Sequence, residues 1–345
     1  MKLERRTLLM AAGAQAFAAE RRIRVAVYGA GHAHARAKTR ALATMPEYEL
    51  AGVCEPRGEA VLADGVFAGI PRLATAQMLE DRSIDLIAVE ARVQEGLGYA
   101  HQAVEAGKHV HLDKPPGEDL ESLRRLFASA REKGRAIQMG YQWRYHAAMR
   151  EAVRMAKTGL LGGIYMVRAT INKPLSPAER EELAAFPGGM MFELGCHMID
   201  RIVDVLGEPR SAASRLRHHG PGNDKLADNT LAVFEFDRAL AEVYVAAMQP
   251  NGNSYRNFEI LGTAGTAAVS PFAPDGALHL DLARASAPHP AGPSRPRVEV
   301  PAVADAHYRG CFLEMARMIR GGEPEYSSAH DLAVHAALLQ VCRPG

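Results

Sequence analysis

The first half of the chain alternates short apolar strands with helices, and this rhythm limits the folds that are open to it. The first apolar run ends in Gly29-Ala30-Gly31, and a helical stretch follows at once. Strands separated by helices of about 10–15 residues predict βαβ units and a parallel sheet. The expected strands are 23–28, 50–54, 84–89, 108–112 and 136–139, and the expected helices are 32–44, 99–106 and 120–133.

After about residue 140 this rhythm changes. Strand candidates follow one another without helices between them, which favours a mainly antiparallel sheet. They lie at 164–171, 230–236, 241–248, 257–261, 267–269, 278–282 and 298–300, and helices are expected at 146–158, 190–206, 311–319 and 331–341. Six prolines between 274 and 301 indicate a hairpin region with exposed loops. The 345 residues have room for two domains, so an α/β domain at 20–140 and an α+β domain at 141–345 are predicted.

Charge and cysteine content exclude some function classes. Lys plus Arg is 41 and Asp plus Glu is 40, a net charge of +1, whereas a nucleic-acid binder normally carries a basic excess. The four cysteines form no C-x-x-C pair and are expected to be buried thiols; they are Cys54, Cys196, Cys311 and Cys342. The adjacent His218 and His219 lack an apparent third ligand, so no metal site is predicted.

The glycine turn after the first strand indicates a dinucleotide site. Gly29 permits the tight turn, and Gly31 lets the backbone approach a pyrophosphate at the helix N-terminus. Glu55 follows the second strand, where a carboxylate binds both ribose hydroxyls and favours NAD. NADP is the alternative, because Arg57 stands close by. The cofactor-binding residues predicted from this pattern are Gly29, Ala30, Gly31, His32, Ala33, Glu55 and Arg57.

The third glycine of the usual G-x-G-x-x-G pattern is replaced by His34. Two interpretations of His32 and His34 stay open at this point. They approach the phosphates, or they lie on the exposed start of the helix.

Residues 1–19 have the pattern of an export signal. A basic segment with Arg5-Arg6 precedes a mild apolar run from Thr7 to Ala19, which ends in the small-x-small pattern of 16–18. The twin arginines resemble a twin-arginine signal, so we expect a periplasmic protein, or a cytoplasmic one if the segment is not a functional signal. The apolar run is too short to span a bilayer of about 30 Å, and stable membrane anchoring is not expected.

Several later segments carry one shared pattern. They are Ala106–Pro115 (A-G-K-H-V-H-L-D-K-P), Gly140–Tyr145, Gly188-Gly189 followed by Glu193-x-Gly195-x-His197-x-x-Asp200, Gly262–Thr266, and Gly321–Pro324. Their order and spacing resemble the Gfo/Idh/MocA family, the glucose–fructose oxidoreductases, inositol dehydrogenases and related sugar oxidoreductases. The resemblance runs from about residue 22 to the end.

This resemblance implies a fold, an activity and a site. The fold class is α/β, an N-terminal Rossmann dinucleotide-binding domain and a C-terminal α+β domain with a large, mainly antiparallel open sheet. Such sheets often make homodimers or homotetramers. Lys114 is then the lysine beside the nicotinamide, which also counts it among the cofactor-binding residues. His197 exchanges a proton with the reacting hydroxyl, and Glu193 contacts the substrate.

The chemistry of these residue types agrees with that assignment. Histidine titrates near neutral pH and suits a general base, and a lysine ammonium stabilises a developing alkoxide. Helical spacing places Glu193, His197, Asp200 and Asp204 on one polar stripe, opposite an apolar core face. Two interpretations of Asp200 stay open: it orients His197, or it is an acid on the helix surface.

Two departures from the family pattern affect the prediction. The family's T-P-x-x-x-H segment is replaced by Ala91–Gly96, and Glu193 stands where an aspartate is usual. The predicted function is an NAD(P)-dependent oxidoreductase acting on a secondary hydroxyl of a sugar or cyclitol. The alternatives are an NAD-retaining glycoside hydrolase that works by oxidation, elimination and reduction, or a non-catalytic binding or regulatory protein on the same fold.

Overall fold

The computed structural model describes residues 21–221, 223–272, 276–283, 297–298 and 306–343. The predicted export signal and most of the proline-rich segment lie outside these ranges. Among the described residues, no helix has both the length and the apolar character needed to cross a bilayer.

A five-stranded parallel sheet forms the first half of the molecule, as predicted. Its strands are β1 (Ile23–Tyr28), β2 (Tyr48–Cys54), β3 (Leu86–Val89), β4 (His109–Leu112) and β5 (Ile137–Met139). The strand order is β2-β1-β3-β4-β5. The helices of this half are α1 (Ala35–Thr44), α2 (Thr75–Glu80), α3 (Val93–Glu105) and α4 (Leu120–Glu132). Burial of every residue of β3 and of five of the six residues of β1 explains why these two strands are largely apolar.

Eight strands form a second, mainly antiparallel sheet. They are β6 (Ile164–Thr170), β7 (Ser211–Arg217), β8 (Asn229–Glu235), β9 (Leu240–Ala246), β10 (Asn257–Gly262), β11 (Gly265–Val269), β12 (Leu278–Leu282) and β13 (Arg297–Val298). The order is β13-β12-β11-β10-β6-β9-β8-β7, and among these neighbours only β6 and β9 run parallel. The predicted mainly antiparallel sheet is confirmed.

The helices of the second half are α5 (Ala147–Lys157), α6 (Pro177–Leu183), α7 (Cys196–Leu206), α8 (Ala306–Ile319) and α9 (Ser328–Cys342). A capping box starts α6: the Ser176 hydroxyl accepts from the Glu179 N–H, and the Glu179 carboxylate accepts from the Ser176 N–H. Although α8 comes late in the chain, it packs on the parallel sheet. Its residue Phe312 lies in the core with β1, and its carbonyl accepts from the Tyr48 hydroxyl at 2.6 Å.

The sequence missed or misplaced some elements. Strand β7 was not predicted, because its Ser-Ala-Ala-Ser-Arg-Leu-Arg sequence has low β-propensity and the strand forms by pairing with β8 at the sheet edge. Helix α3 begins six residues before the predicted start at 99. Helix α1 begins at Ala35, after a turn at 32–34. That turn decides where the two histidines point.

Candidate active site

The turn between β1 and α1 has no room for side chains at its glycines. Gly29 has a φ of +77°, and a Cβ there would lie 2.6 Å from Ala91. A Cβ at Gly31 would lie 2.9 Å from the Arg92 side chain. Gly29 is therefore required because of its positive φ, and both Gly29 and Gly31 are required because neighbouring atoms leave no space for a Cβ. This is the cradle that a dinucleotide pyrophosphate needs.

Glu55 lies directly under this turn, at the end of β2. Its Oε2 accepts the Ala30 N–H at 2.7 Å, and its Oε1 accepts the Arg57 N–H at 2.9 Å. Each carboxylate oxygen retains a second lone pair. Glu55 thus fixes the turn and can still receive hydroxyl donors.

A cavity of about 480 Å³ lies between the glycine turn and α6. It is lined by five of the predicted cofactor residues and by Glu193; the five are Ala30, Gly31, His32, Ala33 and Arg57. The sequence did not single out Arg36 and Arg92, which line the same cavity. Three guanidinium groups beside a helix N-terminus suit an anionic ligand.

Lys114 and Glu193 meet across the two halves of the molecule. The Lys114 Nζ lies 2.7 Å from Glu193 Oε1 and 3.0 Å from the Glu193 carbonyl oxygen. The Lys114 side chain is fully buried, while that of Glu193 is 15% exposed. Burial alone would lower the pKa of Lys114, but the Glu193 carboxylate, with a contribution from Asp113, raises that pKa above the usual value. Lys114 is therefore a cation that donates hydrogen bonds, rather than a base.

His197 lies at the start of α7, after a π-helical turn over 191–195. Its ring is 6.1 Å from that of His34, 6.3 Å from that of Tyr141 and 6.4 Å from that of Trp143. Only 1% of the residue is exposed, and its Nδ1 has no hydrogen-bond partner among the described residues. Burial, and then the charge of Lys114, lowers the pKa of His197 well below its usual value. A neutral imidazole, able to accept a proton, thus stands close to a lysine cation.

His32 and His34 both point inward, so the exposed interpretation is wrong for them. The His32 Nε2 donates to the Lys114 carbonyl at 3.1 Å. The His34 Nδ1 lies 3.1 Å from Asp113 Oδ2. Asp113, which precedes Lys114, therefore connects the glycine turn to the lysine.

Asp200 takes neither of the two roles considered for it. It is fully buried, and its carboxylate accepts from Arg144 at 2.6 Å and from Arg201 at 2.7 Å. Burial alone would raise the pKa of Asp200, but Arg144 holds it well below its usual value. His197 and Asp200, which belong to the predicted polar stripe on α7, are therefore buried, because charged groups from other elements pack against them.

Two side-chain groups among the described residues are compact enough to hold a metal ion: His32 with His34 and Asp113, and Asp200 with His330 and Asp331. A cationic side chain already sits in each. The Lys38 Nζ lies 2.9 Å from Asp113 Oδ2, and Arg144 binds both Asp200 and Asp331. These ammonium and guanidinium groups supply the positive charge that a metal would bring.

Further functional candidates lie in the segment that links β5 to α5. The Tyr141 hydroxyl and the Gln142 Oε1 are buried without a hydrogen-bond partner among the described residues. In the sequence, residues 140–145 stand out only as a family motif. The aromatic and amide side chains within that motif are the signal that could have placed Tyr141 and Gln142 at the site.

Two models of one protein family match this chain in order. The model described as an oxidoreductase family with an NAD-binding Rossmann fold matches residues 23–141, and the Gfo/Idh/MocA C-terminal domain model matches residues 149–268. The first match covers the parallel sheet and the glycine turn. The second covers most of the antiparallel sheet and His197.

Individual relatives agree with the family match. D-glucoside 3-dehydrogenase of Escherichia coli is 28% identical over 199 residues, 54% of this chain and 55% of that protein. The scyllo-inositol 2-dehydrogenase (NADP(+)) of Bacillus subtilis is 24% identical over 220 residues, 62% of this chain and 60% of that protein. The chain spans 41–58% of the length of the first three curated relatives that it matches.

Solved structures share the fold. A 3-ketoreductase from Actinomadura kijaniata, in complex with TDP-benzene and NADP, superimposes with a TM-score of 0.74. It is 22% identical, and the match covers 93% of this chain and 96% of that one. Fold, glycine turn, lysine motif and both domain matches coincide, and the chain belongs to the Gfo/Idh/MocA family of oxidoreductases.

Proposed function

We propose that this protein is an NAD(P)-dependent oxidoreductase that moves a hydride between the nicotinamide and a secondary hydroxyl of a sugar or cyclitol, or the corresponding ketone. One observation carries the proposal. A buried lysine cation and a buried neutral histidine, Lys114 and His197, stand together beside a glycine turn shaped for a dinucleotide. Alcohol oxidation needs that pair of charge states.

The cofactor is supported by the cradle that side chains at Gly29 and Gly31 would fill. When bound, the nicotinamide supplies the hydride acceptor. Glu55 would bind the adenosine ribose, and NAD is the preferred form because a 2′-phosphate would face this carboxylate. The guanidinium groups of Arg57 and Arg92 would meet the pyrophosphate.

Lys114 would hold the reacting oxygen. An ammonium has three N–H donors, and Glu193 occupies two of them, one with its carbonyl and one with its carboxylate. The third donor is left for the substrate oxygen. As the alcohol is oxidised, negative charge develops on that oxygen, and a fixed cation in a buried site stabilises it strongly.

His197 would take the hydroxyl proton. The hydroxyl O–H bond would break towards the neutral imidazole while the C–O single bond becomes a C=O double bond, and the nicotinamide, when bound, would supply the acceptor for the hydride that leaves the same carbon. In the reverse direction the imidazolium would give its proton to the carbonyl oxygen, which becomes the hydroxyl. General acid–base help of this kind contributes about 10²–10⁴-fold to a rate.

A hydroxyl-rich substrate fits the buried polar atoms around His197. The Tyr141 hydroxyl, the Gln142 Oε1 and the His197 Nδ1 are all buried without partners among the described residues. Each unmet polar atom costs about 1–3 kcal/mol, which a sugar or cyclitol hydroxyl would recover. Relatives named as a glucoside dehydrogenase and a scyllo-inositol dehydrogenase favour the same substrate class.

The exposed face of the large sheet favours self-association. Leu231 and Val233 on β8 and Leu240 and Tyr244 on β9 are each at least 36% exposed. Alternate residues of paired strands share one face, so these apolar side chains lie on the same face of the sheet, with Glu235 and Glu242 between them, and a second copy would cover this mixed face. We therefore include a homodimer or homotetramer in the proposal, and light scattering on the purified protein tests it.

The function is tested by purifying the protein, denaturing it and identifying any released nucleotide by mass spectrometry. The folded protein is then supplied with NAD or NADP and with scyllo-inositol or methyl β-D-glucoside, and reduced nicotinamide is measured. Expected are nucleotide binding and reduction with at least one polyol. A protein that binds neither nucleotide overturns the proposal, and cleavage of the glucoside without added nucleotide points instead to redox-neutral hydrolysis.

A further inference from the structure

His34 occupies a position where the dinucleotide pattern expects a glycine, and its ring enters the active site. It is the N-cap residue of α1, yet its side chain is only 14% exposed. The ring lies 6.1 Å from His197, the proposed base. A bulky imidazole at a glycine position therefore adds a polar group beside the reacting atoms.

Asp113 determines which nitrogen of His34 carries the proton. Both oxygens of the Asp113 carboxylate face the His34 Nδ1, at 3.1 and 3.3 Å. Burial alone would raise the pKa of Asp113, but His32 and Lys38 hold it well below the usual value, so the carboxylate is ionised and only accepts. The His34 Nδ1 must therefore be the N–H donor.

The other ring nitrogen is then a hydrogen-bond acceptor. Burial lowers the pKa of His34 to about 3, although Asp113 acts in the opposite direction, so the imidazole is neutral. With Nδ1 protonated, Nε2 carries a lone pair. It lies 3.3 Å from the Gln142 amide nitrogen, a distance beyond the usual range for an N–H donor. An aspartate that fixes the tautomer of a histidine is the arrangement that makes Nε2 a good acceptor.

We propose that His34, oriented by Asp113, binds a second substrate hydroxyl and makes the site selective for a vicinal diol. The hydroxyl that reacts lies at His197 and Lys114, and the hydroxyl on the neighbouring carbon donates to the His34 Nε2. This inference rests on the proposed function. Hydrogen bonds of about 2.8 Å from rings 6.1 Å apart can reach two neighbouring oxygens of one sugar ring.

The His34 Nε2 acceptor and the Gln142 amide donor together suit a hydroxyl better than a ligand group that only donates or only accepts. A hydroxyl donates one hydrogen bond and accepts others. It can donate to the His34 Nε2 while accepting from the Gln142 amide N–H, which replaces their long direct contact. The Gln142 Oε1 is buried without a partner among the described residues, so it can receive a donor from the same substrate.

The test uses two probes with the same ring and different hydroxyl spacing. In scyllo-inositol every hydroxyl has neighbours on both adjacent carbons, whereas in cis-1,3,5-cyclohexanetriol no two hydroxyls are vicinal. For the NAD-supplied wild type, kcat/KM for scyllo-inositol should exceed that for the triol by about tenfold or more, as one hydrogen bond allows. Equal values for the two probes would overturn the inference while leaving the oxidoreductase intact.

Variants at His34 assign that preference. His34→Phe keeps a ring without nitrogens, and His34→Gly restores the glycine of the usual pattern if the larger side chain impairs folding. Both variants should reduce the ratio of kcat/KM for scyllo-inositol to kcat/KM for the triol to about one, mainly by lowering the value for scyllo-inositol. His101→Phe is the matched control, because His101 bonds to Ser122 away from the site. A His34 variant that keeps the wild-type ratio contradicts the inference.

A spectroscopic readout does not depend on turnover. In protein labelled with ¹⁵N-histidine, the His34 signals should be those of the neutral form with Nδ1 protonated. Added scyllo-inositol should shift the Nε2 resonance, and the triol should not. An Nε2-protonated tautomer, or no shift with saturating scyllo-inositol, would refute the assignment even if hydride transfer is observed. Turnover of neither probe, with no bound nucleotide, would instead refute the proposed function itself.

Discussion

The Lys114 ammonium lies 2.7 Å from the Glu193 carboxylate, although 79 positions separate the two residues in the chain. Lys114 follows β4 of the parallel sheet, and Glu193 lies in the π-helical turn before α7. This ion pair connects the part of the site that follows the parallel sheet with the part that lies in the second half of the molecule. Beyond the substrate contact predicted for it, Glu193 therefore has a second role, because its carboxylate helps to keep a fully buried lysine charged.

Glu193→Gln should therefore change the pH dependence of the reaction. Without the carboxylate, burial dominates and lowers the pKa of Lys114, so its proton is lost at a lower pH. The alkaline limb of the kcat/KM profile should move to lower pH, with about tenfold to hundredfold lower activity above the new limb. Glu193→Asp, which retains the charge, is the control. An alkaline limb that stays in place would show that Glu193 does not maintain the charge of Lys114.

Replacing His197 should remove the proposed base without emptying the nucleotide site. For His197→Gln we expect kcat to fall by about 10²–10⁴-fold, with the Kd for NAD changed less than threefold, since general base catalysis contributes about that much. Steady-state kinetics and calorimetry measure the two quantities. The lowered pKa of His197 predicts that the wild-type acid limb lies well below pH 6.5. Wild-type rates in the variant would show that another group takes the proton.

Glu55 should determine the choice of nucleotide. Glu55→Ala removes the acceptor of the Ala30 N–H and the carboxylate that would repel a 2′-phosphate. We expect weaker NAD binding, by about tenfold, and loss of preference over NADP in equilibrium titrations. Glu49→Ala, within β2 and paired with Arg24, is the control. An unchanged ratio of the two affinities would mean that the ribose lies elsewhere.

Acid should destabilise the protein through its buried histidines. Burial, aided by Lys38, lowers the pKa of His111 to about 3. An unfolded chain binds the proton near pH 6.5, so the stabilisation is complete above that pH and is lost as the pH falls from 6.5 towards 3. The loss is about 1.4 kcal/mol per pH unit for each such histidine.

Urea unfolding between pH 7 and pH 5 measures this slope. His111→Gln should make it shallower, because one proton-linked group is removed while an amide remains to bond with Lys38 and Gln138. A slope that is the same in both proteins would assign the acid sensitivity to other residues.

The export hypothesis makes a separate prediction. Arg5→Lys with Arg6→Lys should leave the full-length precursor in the cytoplasm, because lysine keeps the charge but not the twin-arginine pattern. Cell fractionation with immunoblotting detects this. Arg21→Lys with Arg22→Lys is the matched control. If the Arg5→Lys, Arg6→Lys protein were still exported, this would argue against a twin-arginine route.

Much of the fold follows from local patterns. The limits of β1 and β12 match the predicted runs, and most helices end within a few residues of the expected positions. Period-2 and period-3.6 hydrophobicity are properties of neighbouring residues, so the sequence shows them directly. Strand β7 was not predicted, because its sequence has low β-propensity and the strand is stabilised by pairing with β8, a segment farther along the chain.

The same division applies to the site. The sequence by itself linked Lys114, His197 and the glycine turn to one family of oxidoreductases, since each lies in a local motif. Only the tertiary structure decided that Glu193 pairs with Lys114, that Asp200 is buried by Arg144, and that His34 points inward to Asp113. The physical reason is that burial and charge pairing depend on side chains far apart in sequence, and they decide which groups are charged.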